Sequence, residues 1–188
     1  LPLSWYKSTA QRLKDKMAEK GVDAILLQTR WTLIYFTGLF HTSTERPFSA
    51  LFPVTEDALF WFHPSLDKDM VTSWWSTDAD YYFDFLHAEG GFPDQGKVVQ
   101  GPTVDLFEWT LECVKKRGFG DKVIGIDSEL TPSKIKKFER VLPKAKYVNI
   151  GSDCLQMRII KTPEEIALSQ RAMDYSSKIH AFARDYIL

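Results

Sequence analysis

Ser8-Thr-Ala-Gln-Arg-Leu-Lys-Asp-Lys-Met-Ala-Glu-Lys20, then Gly21, then Val22-Asp-Ala-Ile-Leu-Leu27, is the stretch on which the fold turns. Its first part is rich in helix formers, and Ala10, Leu13 and Met17 fall on one helical face. Gly21 stops the helix, because it takes the left-handed conformation that closes a last turn without a steric penalty. Val22 to Leu27 is a short apolar run bounded by a turn residue, which reads as a buried strand. A helix delivering the chain straight into a buried strand is the opening of an α/β layer structure.

Working outward, Trp31 to Phe36 is a short mixed segment ended by Gly38. Phe48 to Val54 and Ala58 to Phe62 are predicted strands joined by Thr55-Glu56-Asp57 in a hairpin. Pro64 to Trp75 is predicted helical, with Leu66, Met70, Val71 and Trp74 inward, and Tyr81 to Leu86 is another strand candidate. His87 to Pro102 carries four glycines and two prolines and reads as a loop. Beyond it the pattern predicts a helix capped by Thr103, striped by Val104, Phe107, Leu111 and Val114, and ended by Gly118. A strand at Val123 to Ile126, a helix from Pro132 to Val141 capped by Thr131, a strand at Lys146 to Ile150 and a short helix opened by Ser152 complete the domain. The expected fold is α/β, a mixed β-sheet with helices on both faces, the one hairpin interrupting strict alternation.

Met157-Arg158-Ile159-Ile160-Lys161-Thr162-Pro163-Glu164-Glu165-Ile166 then opens a long helix. Thr162 is its N-cap, Pro163 suits the first helical position, and Glu165 completes a capping box. Leu168, Ala172, Tyr175, Ile179, Phe182 and Tyr186 form one apolar stripe, and no Gly, Asn or Pro closes the pattern before Leu188. A strong start without a stop leads to the expectation that the chain comes from a longer protein.

The composition sets outer bounds. A chain of 188 residues with 44% hydrophobic and 26% charged residues suits one soluble domain with a sizeable core. Its 13 Phe, 7 Tyr and 6 Trp fit a core by default. Lys and Arg total 24 against 25 acidic residues, so the basic excess of a nucleic-acid binder is missing. No apolar run is long enough for a membrane span, and Leu1-Pro2-Leu3-Ser4-Trp5 has no signal-peptide character. Cys113 and Cys154 fit no metal or redox spacing and are expected to be buried free thiols, which points to a reducing, cytoplasmic setting.

Most residues that could carry chemistry read as structural. His41, His63, His87 and His180 lack zinc-enzyme spacing, and Gly96-Lys97-Val98 lacks the hydroxyl of a phosphate loop. Ser65, Ser73 and Ser128 lie in no nucleophile elbow. Asp78, Asp80 and Asp84 alternate with aromatics in an extended segment and are expected to face solvent. Phe40-His41-Thr42-Ser43-Thr44-Glu45-Arg46-Pro47 gathers a His, a Glu, an Arg and three hydroxyls between two strand elements. Such loops on a rigid sheet carry binding groups, and Arg46 suits a carboxylate. The alternative is a solvated loop with a weak Arg46–Glu45 contact.

Three segments together resemble the creatinase/prolidase family, the pita-bread metallopeptidases that include Xaa-Pro dipeptidase, Xaa-Pro aminopeptidase and creatinase. They are Arg12-Leu13 with Gly21 to Leu27; Trp31-Thr-Leu-Ile-Tyr35-Phe36-Thr37-Gly38; and Met157-Arg158 with Lys161-Thr162-Pro163, Glu165-Ile166 and Arg171-Ala172. The family's Asn ahead of the Tyr-x-Thr-Gly turn is Trp31 or Thr32 here, and Phe62-His63-Pro64-Ser65-Leu66 stands where Thr-Asp-x-Arg-Tyr is often found. The resemblance implies an N-terminal-like domain over residues 1–156, followed by a linker and the first helix of an absent C-terminal catalytic domain over 157–188. It further implies that the divalent metal pair, with its two Asp, one His and two Glu ligands, belongs to that absent domain. This chain then carries no catalytic residue, metal or cofactor of its own. The implied partners are its own catalytic domain and a second copy in a homodimer, with no nucleic acid and no membrane. Phe40, His41, Glu45 and Arg46 become a loop facing the substrate in a partner subunit.

Two functions follow. The first is a dimerisation and substrate-access domain of a metal-dependent Xaa-Pro peptidase or creatinase-like hydrolase. The second is a stand-alone binding or scaffold domain of the same fold without enzymatic activity.

Overall fold

Gly21, at φ +68°, separates helix α1 (Leu3–Glu19) from strand β1 (Ala24–Leu27). The computed structural model describes residues 1–40, 46–76, 78–83, 87–91 and 99–187. Along them follow α2 (Arg30–Thr37), β2 (Ser49–Pro53), β3 (Phe60–Pro64), a 3-10 turn (Ser65–Asp67), α3 (Lys68–Thr72) and β4 (Ala79–Phe83). Then come β5 (Ala88–Gly91), β6 (Val99–Thr103), α4 (Leu106–Val114), a wide turn at Lys115–Phe119, β7 (Val123–Ile126), α5 (Pro132–Val141), β8 (Lys146–Asn149), α6 (Gly151–Ile159) and α7 (Pro163–Ile187).

The strands form one mixed sheet in the order β6-β5-β4-β3-β2-β1-β7-β8. β1 lies inside it, antiparallel to β2 and parallel to β7, with Ala24 opposite Pro53 on one side and Ile124 on the other. Its residues divide strictly between the two faces, as a two-residue period requires. Ile25 and Leu27 pack with Leu13 and Met17 of α1, Phe36 of α2, Val71 of α3 and Cys154 of α6. Ala24 and Leu26 pack with Leu111 and Val114 of α4 and Phe138 of α5. All four are fully buried, which is why the run carries no polar residue. The α/β class and the mixed sheet covered on both faces are as the sequence predicts. The face under α1 is also tied electrostatically: Lys20 and Lys16 reach Asp153 of α6 at 2.7 and 3.1 Å.

The structure corrects several element assignments. α1 starts at Leu3, because Trp5 is buried and holds the chain down ahead of Ser8. Arg30–Thr37 is a regular helix, whose eight residues fit under Gly38 at φ +74°. Leu66 is 64% exposed, since a 3-10 turn breaks the long helix expected from Pro64 and rotates it outward. The glycine-rich stretch from His87 contains two strands, and Gly101 stands where a Cβ would meet the Glu89 backbone at 3.1 Å. A side chain there would require the Glu89 segment to give by a few tenths of an ångström, which glycine avoids. Asp105, two residues after Thr103, caps α4 by accepting from the Glu108 amide at 3.1 Å.

Candidate functional site

α2 carries Tyr35, Phe36 and Thr37, ends at its cap Gly38, and lies just ahead of the segment Phe40 to Arg46. Its N-terminus is held by the carboxylate of Asp127 at the end of β7. The amides of Gln28 and Thr29 donate to Asp127 at 2.8 and 3.0 Å, and the Thr29 hydroxyl at 2.7 Å. Burial raises the Asp127 pKa above its ordinary value, and these donors from Thr29 and Gln28 offset part of that rise. Nothing in the sequence pattern singles out this residue; its one signal is a carboxylate directly after a parallel strand.

The other end of α2 is fixed as tightly. The Gly38 amide donates to Ile34 O at 2.8 Å, and the Thr37 hydroxyl donates to Leu33 O at 2.7 Å. The indoles of Trp74 and Trp75 both donate to the Thr37 carbonyl, at 2.8 and 2.9 Å, filling its two lone pairs. A Cβ on Gly38 would lie 2.7 Å from the Tyr6 ring, so the position excludes a side chain for two reasons, its positive φ and this contact.

Of the four predicted loop residues, Phe40 and Arg46 flank the segment, while His41 and Glu45 lie in 41–45, outside the described residues. Phe40 is 71% exposed and Arg46 is half-buried. Beyond Arg46 the chain is anchored again. Tyr82 OH donates to Pro47 O at 3.0 Å, and Phe48 stacks on His63 with ring centroids 5.7 Å apart. His63 is fully buried and its Nδ1 donates to Pro64 O at 2.8 Å.

The second and third sequence segments meet at the foot of α7. Tyr35 OH donates to Met157 O at 2.9 Å and lies 3.5 Å from Glu165 Oε2. Burial, and then the nearby Glu165 charge, raise the Tyr35 pKa. The Trp5 indole donates to Thr162 Oγ1 at 3.2 Å and meets the Tyr35 ring edge-on at 5.4 Å. The capping box is formed: the Thr162 amide donates to Glu165 Oε2 at 2.9 Å, and the Glu165 amide donates to Thr162 Oγ1 at 3.3 Å. Past this hub α7 packs on nothing among the described residues. None of its residues is buried, and Tyr175, Ile179 and Phe182 of the stripe are each about two-thirds exposed or more.

Elsewhere the structural readings prevail. Asp78 is exposed, as expected, and Asp80 half-buried; both pair with Arg117, at 2.6 and 2.8 Å, and its guanidinium lies over the Phe60 ring at 4.4 Å. Asp84 lies outside the described residues. Cys113 and Cys154 are free and buried, and burial pushes both thiols up to about 12. Among the described residues no three His, Cys, Asp or Glu side chains come together as a metal set, and no helix is long and apolar enough to cross a membrane.

No curated protein matches the chain by sequence. A prolidase from Thermococcus sibiricus superposes with a TM-score of 0.69 at 18% identity, over 94% of this chain and 43% of that one. A dipeptidase from Mycobacterium ulcerans gives 0.66 at 12% identity, over 96% and 44%. The creatinase/prolidase N-terminal domain of an X-Pro dipeptidase from Streptococcus pyogenes gives 0.57 at 14% identity, over 80% and 98%. At these identities the likeness is one of fold, and this chain spans less than half the length of the first two. The sequence profile of the creatinase/prolidase N-terminal domain matches residues 10–160. The chain therefore belongs to the creatinase/prolidase N-terminal domain family.

Proposed function

We propose that this chain is the accessory N-terminal domain of a metal-dependent Xaa-Pro dipeptidase-like hydrolase, serving dimerisation and substrate access. The carrying observation is α7, fastened to the domain by the Tyr35, Trp5, Thr162 and Glu165 contacts yet offering an uncovered apolar stripe. Burying four such side chains is worth about 6 kcal/mol or more, ample to dock a further domain. In this reading residues 1–156 are the accessory domain, and 157–188 are the linker and first helix of the catalytic one. In the same reading the divalent metal pair sits in that other domain. The chain alone is inert, and its setting is the cytoplasm, consistent with two unpaired cysteines.

Phe40, His41, Glu45 and Arg46 then face the substrate in the partner subunit, a role supported by the anchoring of the chain on either side at the Thr37 and Pro47 carbonyls. His41→Ala and Arg46→Ala in the complete enzyme raise KM or shift specificity, and unchanged kinetics in both refute that role.

The test of the whole reading is Xaa-Pro dipeptide hydrolysis with added manganese, by this chain and by the full polypeptide that its gene encodes. Cleavage by the longer polypeptide alone is expected. Cleavage by the chain itself removes the accessory assignment. Absence of cleavage by both favours the stand-alone binding or scaffold domain.

A further inference from the structure

The sheet ends on one side at β8, and the chemistry around that edge is not used by anything described above. The Lys146 and Ile150 amides turn inward, donating to Lys122 O at 3.0 Å and Ile126 O at 2.9 Å of the neighbouring β7 segment. By the two-residue alternation of a strand, Tyr147 and Asn149 present their backbone donors and acceptors to the open side. Directly beside them lies a hollow of about 380 Å³ between β8 and α5, lined by Leu130, Ile135, Phe138, Ala145 and Tyr147, with Glu139 and Lys146 at its lip.

The hollow is preformed. Tyr147 OH donates to Ser128 O at 2.8 Å and accepts from the Leu130 amide at 3.2 Å, which fixes the ring as one wall. Phe138 packs against it with centroids 6.2 Å apart. A rigid apolar recess next to unpaired strand backbone has the two parts of a strand-addition site: main-chain bonds for affinity and a pocket for one side chain.

Charge narrows the occupant. Lys137 and Arg140 of α5 are engaged by Asp105 and Glu108, and Lys134 lies over the Phe107 ring at 5.1 Å. Lys136, Lys144 and Lys146 are exposed and enter no ion pair among the described residues, whereas Glu139 is the one carboxylate at the lip. Glu129 accepts a hydrogen bond from the Asn149 side-chain amide. Charged side chains along an open edge also disfavour indiscriminate strand pairing. The same lysines attract a strand of opposite charge.

We propose that the β8 edge and its hollow bind an extended acidic segment of another protein, which adds as a further strand and seats one large apolar side chain among Leu130, Ile135, Phe138 and Tyr147. The inference is independent of the peptidase reading, since it uses none of the α2 loop or α7.

Fluorescence anisotropy with a labelled Glu-Val-Glu-Phe-Glu-Val-Glu peptide tests it on the complete chain. Saturable binding is expected, weakened about tenfold by Lys144→Glu with Lys146→Glu, two surface changes that leave the core intact. The same peptide with alternate N-methyl amides, which removes backbone donors, should not bind, and its lysine counterpart should not bind either. Amide resonances of Tyr147 and Asn149 should shift on titration. Absence of saturable binding, equal binding of the N-methylated peptide, or indifference to the double lysine reversal each overturns the proposal.

Discussion

Replacing Gly38 by alanine probes how the turn leaving α2 is built, and the structure supplies its own control. Two effects combine at Gly38: a φ of +74°, and a Cβ that would sit 2.7 Å from two Tyr6 ring atoms and 2.8 Å from a third. Gly21 has nearly the same backbone, φ +68°, but nothing within 4 Å of its Cβ position. Gly21→Ala therefore reports backbone strain alone, about 1 kcal/mol. Gly38→Ala adds the displacement of a ring that also packs edge-on against Trp5 at 5.1 Å, an overpacking cost of about 2 kcal/mol. The sum is about 3 kcal/mol, or a Tm lowered by roughly 6–12 °C, against roughly 2–4 °C for Gly21→Ala. Urea unfolding of both variants and of a Gly38→Ala, Tyr6→Ala pair measures this directly. The double change should recover the ring contribution as a coupling of about 2 kcal/mol. If Gly38→Ala costs no more than Gly21→Ala, Tyr6 does not close the turn and the reasoning fails.

Three further outcomes are expected. Asp127→Asn should cost about 2–3 kcal/mol, because an amide cannot accept all three donors that the carboxylate takes. Since burial raises the folded-state Asp127 pKa, the folded chain holds that proton more tightly than the unfolded one. The pH-dependent part of the Asp127 side chain's contribution is then largest in acid, where the group is protonated, and falls as pH rises from the ordinary carboxylate range through the raised value. The wild-type advantage over the Asn variant should shrink as pH rises above the ordinary carboxylate range, and an advantage that grows would contradict the assignment. Thr162→Ala should accelerate amide exchange in the first turn of α7 about fivefold, because it removes the acceptor that caps that turn. Cys113 and Cys154, with thiols pushed up to about 12, should resist iodoacetamide in the native state and react in urea; native-state labelling of either would refute the burial argument.

What the sequence shows and what it hides follow the range of the deciding interaction. β7 and α5 are read to the residue, because a buried apolar run and a Thr131-Pro132 start are local signals. The capping box of α7 is likewise written in Thr162 and Glu165 and found in place. α2 is not legible, since Leu33, Ile34, Tyr35 and Phe36 suit a strand as well as a helix. Its state is decided by Asp127, ninety-eight residues from Thr29, and by two indoles on the Thr37 carbonyl. β5 and β6 are hidden for the same reason: glycines read as loop until a partner strand is known. At the candidate site, the sequence names the Tyr35-to-Gly38 segment and the start of α7 separately. Only the fold shows that Tyr35 touches both.

The position of β1 in the sheet carries a consequence for how the chain is made. One edge of β1 is filled by β2 soon after it, whereas the other waits for β7, with the Val123 amide closing onto Asp23 a hundred residues away. At a ribosomal rate of roughly 10 residues per second, that second edge stands open for about 10 s after β1 emerges. During that interval the nascent chain holds an all-apolar Ala-Ile-Leu-Leu strand with one bare side, the kind of surface that chaperones grip and that mispairs between neighbouring chains. The rate-limiting event of folding is then expected to be the late insertion of β7 beside β1, and slowing synthesis before Val123 should lengthen the window for aggregation.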